Sequence, residues 1–384
     1  MSSNLIKTIV FSLILSPATW AVDLNAQLPS RLSEVKAGNK AVELQGHQVQ
    51  LQQQAPDWRL SVNPIEPQKP QWLNPLVGSL ADHIMQRINQ AAALNSINLL
   101  ALCLLATERH TMARSELTQQ LAFYLQLQRA VPYHQQVSLP EESASELIDH
   151  ALSLQKVQQH NDSFGALISL SEDNAILLSY YRNNILHLFM LPAIIASAIL
   201  HQRSVSQQQL NAVVQQLYPI LRQELFIELS SPEQYCNAVL QHLVDTGLAL
   251  QQQGGYCAPP QHSQAFAMLS LLAHNAEHSL QRYAMVLQLI QTQGPQSRAE
   301  LEKHSHQLAQ RLLSLHGITA PEYYDKQLFA TLLNALKDSG YTQTDEQSRV
   351  SATPRLAQLN DTIAGLLRSE VLQSIHSIVP AGRD

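Results

Sequence analysis

Along most of this chain the apolar positions recur at three- and four-residue intervals, in stretches broken by short polar turns, a pattern that predicts amphipathic helices. From residue 76 onward the pattern repeats itself with a period of about 92 residues. Each unit opens with a helical stretch behind a polar cap, with a Leu near its start: Ser115-Glu116-Leu117, Ser206 to Leu210, and Ser297-Arg298-Ala299-Glu300-Leu301. The Ser hydroxyl suits the free N–H groups of a first helical turn. A second amphipathic helix follows, over Ser143–Leu154, Pro232–Thr246 and Asp325–Ser339. A hairpin closes each unit. The first runs from Lys156-Val157 through Asn161-Asp162-Ser163 to Ala166–Leu170. The second runs over Leu248–Gln251 and turns at Gly254-Gly255. The third runs from Tyr341-Thr342-Gln343 past Asp345-Glu346 to Arg349–Ala352. Gly247 and Gly340 each fall just past a predicted helix end, where a left-handed cap is expected; the first unit has no Gly there and needs a different cap.

Helix, helix and short hairpin is the plan of a winged helix. The expected fold is mostly α, with three winged-helix-like repeat units at 76–186, 187–278 and 279–384. Before them come a signal-peptide-like segment, 1–21, and a leader with a proline-rich linker, 22–75. In the first, Lys7 supplies a positive start, Thr8–Leu15 an apolar core, and Thr19-Trp20-Ala21 small residues at a cleavage site. The alternative is a short buried or membrane-lying helix. Residues 38–49 alternate around Gly like a small hairpin, and Ile65–Pro75 reads as a stiff linker.

Composition supports a helical protein and narrows its partners. The chain is 45% hydrophobic but only 14% charged, and glutamine takes much of the place of charge. Few aromatics and 12 Gly leave Leu, Ala and Ile to fill the core. A net charge of −6 with no Lys/Arg run argues against nucleic acid, even on a winged-helix plan. Cys103, Cys236 and Cys257 have neither zinc nor disulfide spacing, and read as buried thiols with Cys257 the most exposed. No cofactor or metal is expected.

The most distinctive chemistry is Tyr180-Tyr181-Arg182-Asn183-Asn184, followed by His187 at the mouth of the apolar run Leu188–Leu200. With Ser143–Leu152, Gln281-Arg282-Tyr283-Ala284, Ala309–Leu312, Leu315-His316-Gly317-Ile318, Ala320-Pro321-Glu322 and Asp325-Lys326, this segment resembles bacterial membrane-bound glycerol-3-phosphate acyltransferases, from about Ala55 onward. The part resembled is the region after the catalytic domain. The leader, 1–54, faintly resembles the start of exported thiol peroxidases, without their Thr-x-x-Cys, and Asp57-Trp58-Arg59 reads as the junction. The resemblance implies transfer of a fatty acyl group to the sn-1 hydroxyl of glycerol 3-phosphate, at the cytoplasmic face of the inner membrane. An exported leader clashes with that compartment and would put the chain in the periplasm.

That family's acyl transfer uses a His-x-x-x-x-Asp pair, with the His as general base. None of the 16 His here has an Asp five residues on: His150 is followed by Gln155, His187 by Pro192, His242 by Gly247 and His316 by Pro321. No glycine-rich phosphate loop is present either. The expectation is therefore a non-catalytic scaffold that docks on a catalytic half or a membrane surface, with a chimera or relic carrying an exported leader as the alternative.

For Arg182, Asn183 and Asn184 the readings are a docking or phosphate-facing site and, favoured, a network holding helices together. For 188–200, flanked by His187 and His201, they are shallow membrane insertion and, favoured, a core helix kinked at Pro192. Glu146, Asp149 and His150 share a helix face, which suits a metal less well than a solvated surface. His304 and His306 are read as structural, and Glu322 with Asp325 as a helix start.

Overall fold

The computed structural model describes residues 42–44, 47–54, 57–64, 72–107, 109–252, 254–316 and 326–379. The signal-like segment and the region around Gly317, Pro321, Glu322 and Asp325 lie outside them. The chain forms two compact units, Met1–Ile88 and Asn89–Asp384.

In the first unit, β1 (Val42–Leu44), β2 (His47–Gln54) and β3 (Asp57–Pro64) form an antiparallel meander in the order β1-β2-β3. The small hairpin expected at 38–49 is thus seen as β1 with the start of β2. The strand beyond it was not anticipated: β2 pairs with β3 from His47↔Pro64 to Gln54↔Asp57, straight across the expected junction. Helix α1 (Leu73–Gln90) begins inside the expected linker. Pro75 lies in its first turn, where the missing N–H has no intrahelical partner to lose.

The second unit contains α2 (Ser96–Leu104), β4 (Thr111–Ala113), α3 (Arg114–Ala130), α4 (Ala144–Ser153), β5 (Gln158–Asp162) and β6 (Gly165–Ser169). Then come α5 (Glu172–Asn183), α6 (Leu186–His201), α7 (Gln207–Leu225), α8 (Pro232–Asp245), β7 (Leu250–Gln252) and β8 (Gly255–Cys257). The last stretch is α9 (Gln264–Thr292), β9 (Gln296–Ser297), α10 (Arg298–His316), α11 (Lys326–Asp338), β10 (Thr342–Thr344), β11 (Arg349–Ala352), α12 (Pro354–Ala364) and α13 (Ser369–Ile378). The protein is mostly α.

One wiring recurs three times. A helix leads into a short extended segment, two helices follow, and a hairpin returns so that its second strand lies between the first strand and the extended segment. The sheets are ordered β4-β6-β5 and β10-β11-β9. In the middle copy the extended segment shrinks to Val205, bridged to Tyr256 beside the β7-β8 pair.

Local chemistry explains the element ends. Ser143 with Glu146, and Ser206 with Gln209, form reciprocal capping boxes, and Ser297 exchanges the same two bonds with Glu300. Ser115 departs from expectation. It lies inside α3, whose first turn follows Ala113 with no side-chain cap, because β4 pairs with β6 up to that residue. The three second helices end alike. Lys156 N–H reaches Ala151 C=O, Leu248 N–H reaches Leu243 C=O, and Tyr341 N–H reaches Leu336 C=O. This is the six-to-one bond of a Schellman cap. It requires a left-handed residue before each donor. Gly247 (φ 74°) and Gly340 (φ 71°) supply it, and Gln155 takes the same conformation at φ 54°.

The core is continuous through the second unit. At its centre every residue of α6 from His187 to Ile199 is buried. The run 188–200 is therefore enclosed by protein, packed against α9. Among the described residues no single helix is long and apolar enough to cross a membrane, and α5 and α6 meet at 91°. Pro192 lies inside α6 and cannot bond the carbonyl four residues back, that of Leu188. Two side chains from other helices serve that carbonyl: Gln128 Nε2 donates at 3.2 Å and Tyr235 Oη at 3.5 Å.

A non-Gly residue held left-handed costs about 1–2 kcal/mol. Gln155→Gly is expected to stabilise the protein by up to about 1 kcal/mol, and Gly247→Ala, which meets no steric obstacle to its new methyl, to destabilise it by about 1 kcal/mol. Urea unfolding of the two variants, run side by side, measures both signs.

Candidate functional site: a buried polar seam

The expected cluster is divided by the helix that carries it. α5 turns Ala175, Leu178, Ser179 and Arg182 inward and leaves Tyr180, Tyr181 and Asn183 exposed. Asn184, also exposed, is its C-cap. Arg182 is buried, and both its Nε and Nη2 donate to Asn183 Oδ1, at 3.2 and 3.1 Å. Burial pushes its guanidinium down to about 10, so it stays charged at neutral pH. His187 is buried at the start of α6. Its Nε2 lies 3.0 Å from the Asn89 carbonyl oxygen, which requires a proton on that nitrogen, and Tyr133 stands edge-on at 5.2 Å. Burial pushes His187 down to about 4.

Asn89 extends the seam. Its Nδ2 donates to the carbonyls of Leu225 (2.7 Å) and Phe226 (3.3 Å), closing the C-terminal end of α7. One residue earlier, Glu224 is almost fully buried and forms an ion pair with Arg282 of α9. Tyr283 Oη donates to the other Glu224 oxygen at 2.7 Å, and Ser279 Oγ lies 3.4 Å from the first. Burial, and then the Glu224 charge, push the Tyr283 phenol well up. His278, on the same helix, is pushed down to about 4 by burial and by the charge of Arg182. The charge of Arg182 is thus felt on α9, one turn before the Gln281–Ala284 segment. A more exposed pair lies nearby on α9: Glu277 accepts from Arg368 at 2.7 Å and from Gln281 at 3.2 Å.

The other candidates have structural partners. Glu146 caps α4, Asp149 pairs with Arg114 at 2.7 Å, and His150 Nδ1 lies 3.0 Å from Ser96 Oγ. His304 Nδ1 lies 2.9 Å from Gln296 Oε1. No group of three or more His, Cys, Asp or Glu among the described residues is placed to hold a metal. Cys103 and Cys236 are buried and Cys257 is partly exposed. Burial pushes the Cys236 thiol up to about 12, away from thiolate chemistry.

The sequence reading missed Glu224, Asn89, Ser279 and His278. Glu224 carried a usable signal. It is an acid in the last turn of a helix, at the negative end of the dipole, where only a compensating cation makes it favourable. That cation is 58 residues away.

Residues 45–345 match the C-terminal region of glycerol-3-phosphate acyltransferases. The chain belongs to this family. It is 38% identical over 330 residues to the glycerol-3-phosphate acyltransferase of Pseudoalteromonas atlantica, covering 85% of this chain and 41% of that protein. It is 41% identical over 331 residues to the enzyme of that name from Shewanella loihica, covering 86% of this chain and 40% of the relative. The chain therefore spans about two fifths of the length of these relatives. The residues of the polar seam, from Asn89 to Tyr283, all fall inside the matched region.

Removing one partner of a buried ion pair strands the other charge, at a cost of about 3–5 kcal/mol. Glu224→Ala is expected to lose that much stability by chemical denaturation. Tyr283→Phe, which leaves the ion pair in place, is expected to lose about 1 kcal/mol. The two depressed histidines set an acid limit. Both are neutral in the fold, while the unfolded chain takes up their protons near 6.5, so stability is full above that pH and falls as pH drops toward 4. Melting temperature against pH measures this. His187→Gln, whose amide can still donate to Asn89, is expected to flatten part of the slope.

Proposed function

We propose that this chain is the non-catalytic C-terminal body of a glycerol-3-phosphate 1-O-acyltransferase, and that it works by packing against the family's acyl-transfer portion. The observation that carries this is a mismatch between kinship and chemistry. The family is that of an acyltransferase, yet no His of this sequence is followed five residues later by an Asp. The polar seam supports a structural reading of the motif residues. Arg182 and Arg282 are engaged by neighbouring side chains within the fold, and His187 is held neutral by burial. A general base near neutral pH needs a higher pKa and an open approach for substrate.

The threefold recurrence of helix, strand, two helices and hairpin supports the further reading that the body is built from three related winged-helix-type units. Their role would be protein packing, as the acidic net charge disfavours nucleic acid. On this reading the assembled enzyme works at the inner membrane with this body on the cytoplasmic side, which the family resemblance supports.

Acyl transfer from labelled acyl-CoA to glycerol 3-phosphate tests the proposal. The purified chain alone, in detergent or lipid, is expected to show no turnover. Adding a separately expressed portion that contains a His-x-x-x-x-Asp motif is expected to give activity above that of the portion alone. Turnover by the isolated chain would overturn the proposal.

A further inference from the structure

The outer face of α5 is out of keeping with the rest of the surface. Ile176 (50% exposed), Leu177 (41%), Tyr180 (58%) and Tyr181 (39%) are half of the exposed large hydrophobic side chains among the described residues. The others are scattered singly over α1, the end of α4, the β5-β6 turn and β7. These four fall at i, i+1, i+4 and i+5, so they form one stripe along one side of the helix. The opposite side, Ala175, Leu178, Ser179 and Arg182, is buried against the body, and α5 packs chiefly on α2. An isolated exposed Leu needs no explanation, whereas a contiguous aromatic and aliphatic stripe marks a surface that something covers.

We propose that this stripe is the surface on which the acyl-transfer portion of the enzyme docks. The proposal rests on the function proposed above and names where the two parts meet. Three observations select this occupant. First, the relatives are about two and a half times as long as the matched region, and the match is to their C-terminal region. In them, a large part of the same polypeptide lies upstream and available to cover the face. Second, the stripe has the composition of an interface centre, with two tyrosines and two branched aliphatics and no charge among them. Tyr is the kind of anchor that concentrates binding energy. Third, the charge around it is wrong for a lipid surface. A helix lying on anionic lipid carries Lys or Arg along its polar flanks. α5 has Glu172 and Asp173 at its start, and Arg182, its single basic residue, points into the body. Arg182, buried at the end of α5 and bonded to Asn183, anchors the inner side of the helix whose outer side presents the two tyrosines.

The test uses the full chain and the upstream portion of the Shewanella loihica relative, produced separately. Binding is read as a dissociation constant by fluorescence anisotropy of labelled upstream portion. Ile176→Glu combined with Tyr180→Glu is expected to weaken the complex by roughly 10-fold or more. Its melting temperature should stay near that of the parent chain, since both side chains are exposed. Leu250→Glu, an exposed apolar position on β7, is expected to leave the affinity unchanged. A complex that the double variant does not weaken would overturn the docking surface and leave the proposed function standing. No complex with the parent chain would overturn both. Two further readouts, flotation on phosphatidylethanolamine–phosphatidylglycerol vesicles and sedimentation of the chain alone, identify a rival occupant. If the double variant abolishes either of these while the complex persists, the face belongs to the membrane or to a second copy, and the proposal falls.

Discussion

A helix with no polar side has to be enclosed on every side, and α6 imposes that demand on the whole second unit. From His187 to Ile199 there is no position at which water is admitted. α9, at 29 residues, is long enough to lie along it, and α5, α7 and α8 also pack on it. Enclosure excludes water from the first turns of α6 as well as its sides, so each polar group there needs a partner in the protein. The bonds of Gln128, Tyr235 and Asn89 to α6 backbone or side chains follow from that requirement.

The polar seam is the second consequence of that enclosure. Charges buried beside an apolar centre persist only when matched, and the match here is made by elements distant in sequence: Glu224 from the end of α7 with Arg282 from the middle of α9, and Asn89 across the end of α7. Such a pair adds little net stability compared with apolar packing of the same volume, but any other packing of α7 on α9 would leave a charge unmatched. The seam therefore fixes which way the helices assemble more than how tightly they hold.

Elements whose causes are local were legible in the sequence. Ser143, Ser206 and Ser297 announced helix starts, Gly247 and Gly340 announced helix ends, and the three hairpins fell where their turn residues stood. Elements whose causes are distant were not. β4, β9 and Val205 are three residues or fewer and show no alternation, since they are extended only because a hairpin strand from far along the chain pairs with them. Ser115 had the right type for a cap, but the neighbouring strand pairing moved the helix start past it. At the site, Arg182 and His187 stood out by motif, whereas Glu224 signalled only that a cation was needed, and Arg282 supplies it from a distant helix. The division of the Tyr180–Asn184 segment into an inner and an outer face follows from helical spacing, and was obscured by reading it as one polar cluster.

The proline in α6 also bears on the order in which the chain can acquire its structure during synthesis. The gap at Leu188 is filled by Gln128, which has already left the ribosome when α6 emerges, and by Tyr235, which comes more than forty residues later. The most apolar segment of the protein therefore depends on partners outside itself, the first made before it and the second, with the rest of α8 and α9, only after it. Over that interval a nascent chain displays an unfinished apolar helix, the form of segment that chaperones and membrane surfaces recognise. The enclosure of α6 is thus a late event in synthesis, since α9, its main cover, begins more than sixty residues after it ends.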